Sequence, residues 1–140
     1  MKKVTYVDLE EILGFEIHKN TISIINEMKE ELSSITIERV TNELYHVLKS
    51  NHPDLFFREL QKANVLSVHF PEIAQLHGVP QKKEHHPEGD AFEHTMLVLN
   101  SASKLTTSLE IRYSALVHDV GKGVTPKEIL PSHHKHEQNG

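Results

Sequence analysis

Apolar residues recur in this chain at three- and four-residue spacing from end to end, while aromatic and β-branched residues form no long alternating run. That periodicity suits helices buried along one face and supplies no strand pattern from which to build a sheet, so an all-α fold is expected. At 140 residues there is room for one domain, or for a small domain with a helical lead-in, and so for a single active centre. Apolar residues make up 37% of the chain and there is no low-complexity run, which places it among folded rather than disordered sequences.

Punctuation divides the pattern into segments. Asp8 with Glu11 resembles a capping box that opens a short helix ended by Gly14. From Asn20 to Leu32, Ile24, Ile25, Met28 and Leu32 share one face of an amphipathic helix. Thr36 can cap a further helix striped by Ile37, Val40, Leu44, Val47 and Leu48, and His52-Pro53 prevents its continuation. Asp54 can cap a helix through Ala63, and Pro71 suits the first turn of another ending near Gly78. The polar loop VPQKKEHHPEG, from Val79 to Gly89, is the natural boundary between residues 1–78 and 79–140. Asp90 and Glu93 form a second capping box, with Phe92, Met96, Leu97, Leu99 and Leu105 directed to the core. Glu110 to Val120 reads as the most apolar helix, stopped by Gly121 and Gly123. A short helical turn follows Thr125-Pro126 and closes at Pro131.

The chain has no cysteine, which excludes disulfides, thiolate zinc sites and cysteine nucleophiles and leaves imidazole and carboxylate as metal ligands. No stretch approaches the roughly 18 apolar residues of a membrane span, so the cytoplasm is the default expectation. A formal net charge of −5 argues against a general polyanion-binding surface, although a local basic patch is compatible with it. Histidine is the outlier: of twelve, seven (His85, His86, His94, His118, His133, His134 and His136) follow Gln81.

His118 and Asp119 end a hydrophobic helix, where adjacent side chains diverge by about 100° and cannot both face solvent easily. A shared metal ion accounts for both, because it supplies the charge that a carboxylate near a core needs. The plainer account is a satisfied core histidine beside an aspartate paired with Lys122 or a helix end. His94 lies 24 positions earlier on a separate helix, a separation that an antiparallel hairpin can span. On its own it is equally an ordinary polar residue of a first turn. His133, His134 and His136 are either further metal ligands or a solvated tail. His85 and His86, after Lys82 and Lys83, read as a solvated turn ahead of a phosphate-binding edge. Lys122 can reach a substrate phosphate as a mobile point charge, or can sit against the helix macrodipole. No serine carries a nucleophile pattern, and there is no Gly-rich phosphate loop.

Taken together, FPEIAQLHGVPQ, HHPEGDAFEHTMLVL, RYSALVHDVGKGVTP and LPSHHKHEQNG closely resemble the HD domain of bacterial CCA-adding tRNA nucleotidyltransferases. Upstream, LGFEIHKNTISII and ITIERVTNELYHVL resemble the helical neck that follows the nucleotidyltransferase head in that family. The resemblance implies a neck-like helical region over residues 1–78 and a partial HD phosphohydrolase domain over 79–140. It implies a metal-dependent phosphohydrolase active toward 2′,3′-cyclic nucleotides, 2′-nucleotides and simple phosphate esters. His94 matches the first histidine of the HD pattern, His118 and Asp119 the pair that names it, and Lys122 the lysine of the usual H-D-x-G-K. The pattern's final aspartate has no counterpart before Gly140, and the tail histidines are candidates to replace it or to mark a second-metal position. Glu38-Arg39 resembles a neck motif that helps to recognise the incoming nucleotide; without the head it is expected to be structural, and CCA addition is not expected.

Two function classes follow. In the first, a divalent ion (nickel, manganese, cobalt, iron or magnesium) held by His94, His118 and Asp119 activates water for hydrolysis of a phosphomonoester or cyclic phosphodiester, with Lys122 neutralising phosphoryl charge. In the second, the chain is a non-catalytic remnant that binds RNA or a partner. A second copy of the chain is expected to cover core surface left open by absent later helices.

Overall fold

The computed structural model describes residues 19–140. The anticipated capping box at Asp8 and Glu11, with its stop at Gly14, lies outside the described residues. Among those described, every regular element is helical, and the sole extended pairing is an isolated antiparallel bridge between Pro80 and Asp90. The expected all-α class is therefore observed.

The helix anticipated over residues 20–32 is two helices, α1 (Lys19–Glu27) and α2 (Lys29–Leu32), because Met28 leaves helical geometry at φ −87° and ψ 12°. α3 (Ile37–Lys49) starts where the sequence places its cap: Thr36 Oγ1 accepts from Arg39 N at 3.4 Å. Its inward stripe carries Val47 and Leu48, both fully buried. α4 (Pro53–Lys62) begins with proline at a position that needs no N–H donor; Asp54, expected as its cap, lies inside the first turn and is buried. Two one-turn helices follow, α5 (Leu66–His69) and α6 (Pro71–Ala74).

The longest element, α7 (Ala91–Leu105), is capped by Asp90, whose Oδ1 accepts from Glu93 N at 3.0 Å. Residues 106–108 connect it to α8 (Leu109–Val117), capped by Ser108. The hairpin is antiparallel, since Arg112 near the start of α8 bonds carbonyls at the end of α7 while His118, just past α8, faces His94 in the first turn of α7. α8 stops three residues before the expected Val120. His118 is its C-cap, Asp119 turns out at φ −116° and ψ 10°, and Val120–Val124 tightens into a 3₁₀ turn. A second 3₁₀ turn, Lys127–Ile129, and the short α9 (His136–Asn139) complete the described chain.

One apolar core runs through all of this. Phe56, Phe57 and Leu60 of α4 pack with Val47 and Leu48 of α3, Leu66, Ile73 and Leu76, and Met96, Leu99 and Leu116 of the hairpin. The rings of Phe56, Phe57 and Phe70 meet edge to face, with centroids 5.2 to 6.4 Å apart. Burial of each such side chain contributes about 1.5–3 kcal/mol. The core is continuous across the turn at residues 78–79, so the two sequence segments share one interior. None of the described helices is long and apolar enough to cross a membrane.

Candidate metal centre

Helix chemistry delivers the first ligand candidate. The Asp90 cap fixes the start of α7, and Arg58 of α4 holds it from outside with a two-pronged grip on Glu93, at 2.6 and 2.8 Å. His94 follows Glu93 directly and so enters the centre from a first turn anchored on both sides. The second and third candidates come from the end of α8. Because Asp119 has left helical geometry, it does not diverge from His118 as neighbours on a helix do. His118 Nε2 stands 3.1 Å from Asp119 Oδ2, and His94 Nε2 stands 3.7 Å from the same oxygen. Donor atoms of His94, His118 and Asp119 all lie within 4.8 Å of one another.

His136, reached through α9, points Nε2 at the other carboxylate oxygen, Asp119 Oδ1, at 3.2 Å. Gly121 permits that approach, because a Cβ there would collide with the His136 carbonyl and stand 2.7 Å from Gly140 N. His133 is directed elsewhere: its ring nitrogens bond Thr125 Oγ1 at 2.6 Å and the Pro80 carbonyl at 2.9 Å. His134 is exposed and belongs to neither group of convergent donors found among the described residues. Of the tail histidines, the structure thus brings His136 to the carboxylate and leaves His133 and His134 away from it.

The remote nitrogens decide what the near ones can do. His118 Nδ1 donates to the Ala115 carbonyl at 2.8 Å and His136 Nδ1 to the His133 carbonyl at 2.8 Å; carbonyls only accept, so both rings carry hydrogen on Nδ1. His94 Nδ1 meets Glu88 Oε1 at 2.6 Å, which imposes the same tautomer while Glu88 is ionised. Three neutral imidazoles would therefore turn three Nε2 lone pairs toward one carboxylate. Lone pairs facing a carboxylate repel unless a cation or a proton lies between them. Two ligands each about 2.1 Å from a metal stand roughly 3.0–3.5 Å apart, close to the separations observed. The residues therefore fit a divalent cation in donor type, spacing and tautomer.

Without such an ion, His118 and Lys122 supply charge opposite Asp119. The hydrogen bond to Asp119 raises the His118 pKa above its ordinary value, against the lowering effect of burial. Burial pushes Asp119 upward, but hydrogen bonds from His118 and Lys122 outweigh it and hold the carboxyl far below the usual carboxylate range. Lys122, read from the sequence as a mobile charge, a helix-end lysine or a partner for Asp119, is buried and takes the last of these roles: its Nζ donates to Asp119 Oδ2 at 2.7 Å and to Gln81 Oε1 at 2.6 Å.

A second group of donors, His86, Glu88 and His94, adjoins the first. The His86 ring packs edge-on against His94 with centroids 4.5 Å apart, where the sequence had favoured a solvated turn; desolvation, then the nearby His94, lower its pKa. Glu88 and Gln81 carried no site signal in the sequence. Both sit in the loop ahead of α7, and only the fold shows which loop residues turn inward.

Two family matches and several curated relatives place the chain among known proteins. Residues 14–76 match the family described as the probable RNA and SrmB-binding site of polymerase A, and residues 91–140 match the HD domain. The chain is similar to multifunctional CCA proteins from Teredinibacter turnerae (42% identical over 130 residues, 91% of this chain and 32% of the relative) and Mannheimia succiniciproducens (44% over 135 residues, 91% and 32%). The protein of that name from Haemophilus influenzae is 45% identical over 136 residues, 91% of this chain and 33% of the relative. The chain thus spans about a third of the length of these curated relatives. No solved structure matches it.

Proposed function

We propose that this chain, a homologue of the HD-bearing part of the multifunctional CCA proteins, is a metal-dependent phosphohydrolase acting on phosphomonoesters or 2′,3′-cyclic nucleotide phosphodiesters. The observation that carries the reading is the orientation of His94, His118 and His136, each with Nδ1 engaged and Nε2 between 3.1 and 3.7 Å from the Asp119 carboxylate. His94, His118 and Asp119 Oδ2 would hold a divalent ion, with His136 at Oδ1 as a neighbouring donor. When bound, such an ion would acidify water and polarise a phosphoryl oxygen. Asp119 supplies the compensating negative charge, and its depressed pKa keeps it ionised at any working pH. Lys122 is the cation nearest that carboxylate, and its ammonium would offset charge on phosphoryl oxygens bound beside Asp119, where stabilisation is mainly electrostatic.

A second reading has its own support. Lys122 already neutralises Asp119, and residues 14–76 match an RNA-binding model, as expected of a helical module that binds RNA without turnover. Metal content and hydrolysis of a chromogenic phosphodiester with added manganese, nickel, cobalt or magnesium separate the two. The hydrolase reading expects His118→Ala to lower turnover at least a hundredfold; equal rates in the chain and the variant would leave only the binding module.

A further inference from the structure

The three imidazoles around Asp119 are held in two different ways. His118 and His136 rest Nδ1 on backbone carbonyls three residues back in their own local turns. His94 rests Nδ1 on a side chain, Glu88 Oε1, at 2.6 Å. Nothing in the architecture of α7 requires that carboxylate, since the helix is capped by Asp90 and clamped by Arg58 without it.

The loop presents Glu88 deliberately. Its base is closed by the bond from Gln81 N to the Gly89 carbonyl at 3.1 Å and by the bridge between Pro80 and Asp90. Its tip turns through the bond from Gly89 N to the His86 carbonyl at 2.9 Å, with Gly89 at φ +73°, a conformation that favours glycine. The Glu88 side chain is only 13% exposed, and His86 Nδ1 lies 3.5 Å from the same Oε1, so the carboxylate is enclosed between two imidazoles. A carboxylate at the remote nitrogen fixes the tautomer, orients the ring and strengthens the near nitrogen as a donor more than a carbonyl does.

We infer that Glu88 is a positioning residue for the centre: it holds His94 as the Nδ1–H tautomer with Nε2 aimed at Asp119, and so sets the affinity of the site for a divalent cation. This rests on the hydrolase reading for its purpose but not for its test. Without the carboxylate, the His94 ring would be free to take the tautomer with hydrogen on Nε2, which blocks the near nitrogen.

The experiment records long-range ¹H–¹⁵N correlation spectra of the histidine rings in the metal-free chain, at a pH where His94 is neutral, alongside calorimetric titration with manganese and nickel. The wild-type chain should show His94 protonated on Nδ1. Glu88→Ala should move hydrogen to Nε2 and weaken metal binding by ten- to a hundredfold, with the tautomers of His118 and His136 unchanged. Glu88→Gln, which keeps an acceptor and loses the charge, should retain the Nδ1–H form and lose affinity less. An unchanged His94 tautomer in Glu88→Ala, or affinity within twofold of wild type, overturns the inference. Absence of any metal uptake by the wild-type chain would instead count against the hydrolase reading, while the tautomer comparison would still decide the role of Glu88. If Glu88→Ala melts early, the folded Glu88→Gln chain decides through its affinity, where no loss at all overturns the inference.

Discussion

At the scale of single residues, His118 holds a place that a proton and a metal ion can each fill. Asp119 raises the His118 pKa, so the proton's contribution to stability is complete below the unfolded value, about 6.5, and is lost as pH rises through the higher folded value. Asp119 behaves oppositely: its contribution is present above its unfolded value, about 3.9, and fades only as pH falls toward the depressed folded one. The metal-free chain should therefore be most stable between these limits and weaken on passing from pH 6 to 8. Since the His118 side chain is 35% exposed, solvent screening limits the loss to about 0.5–1 kcal/mol. Thermal melts in chelator across that range would show the decline, and His118→Ala should remove it; an equal decline in the variant would mean that another group titrates. Residue types and paired helices left His94, His118 and Asp119 open between a metal set and ordinary polar roles, and it was the resemblance to the HD pattern that singled them out. The sequence did not reveal Glu88 or Gln81, because a loop has no periodicity from which to tell an inward side chain from an outward one. It also gave the tail histidines equal weight, and only the turn through His133 and the glycine at 121 distinguish His136 from its neighbours.

Elements were legible where chemistry is local. The caps at Thr36 and Asp90 each accept the backbone N–H three residues on, and Pro71 opens its helix; Ser108 as a cap and Pro53 as a first residue emerge only from the structure. Other ends were not: apolar spacing alone runs through both the break at Met28 and the stop at Val117. Arg112 shows the tertiary level at work. This buried guanidinium donates to the Thr106, Ser103, Leu48 and Ser50 carbonyls at 2.6 to 2.9 Å, which satisfies the open carboxyl ends of α3 and α7 from one point on α8. Arg112→Met would leave several carbonyls unpaired beside the core and should cost about 2–4 kcal/mol. Arg112→Lys keeps the charge without the planar fork and should recover less than half of that loss. Urea unfolding with an unchanged slope would measure both; full rescue by lysine would show that charge alone matters.

For the whole molecule, the centre acts as a clasp. Its donors come from the first turn of α7, the end of α8 and α9, and the loop before α7 reaches it through Glu88 and Gln81. Because the core is continuous from α3 to α8, unfolding should be a single transition, and an ion that grips the clasp should stabilise every part together. An ion bound only to the folded chain contributes about 2.7 kcal/mol at a hundred times its dissociation constant, which for a chain of this length raises the melting temperature by roughly 8 °C. Histidines of the unfolded chain also bind metal and reduce that figure, so the informative quantity is the difference between variants. His134→Ala removes an exposed imidazole outside the donor groups and should keep the full shift, whereas His94→Ala should nearly abolish it. Scanning calorimetry with chelator and then with manganese or nickel distinguishes these outcomes. Equal shifts in both variants would mean that the ion binds the chain at large; no shift in the wild type would leave Lys122 and the His118 proton to supply the counter-charge that Asp119 requires.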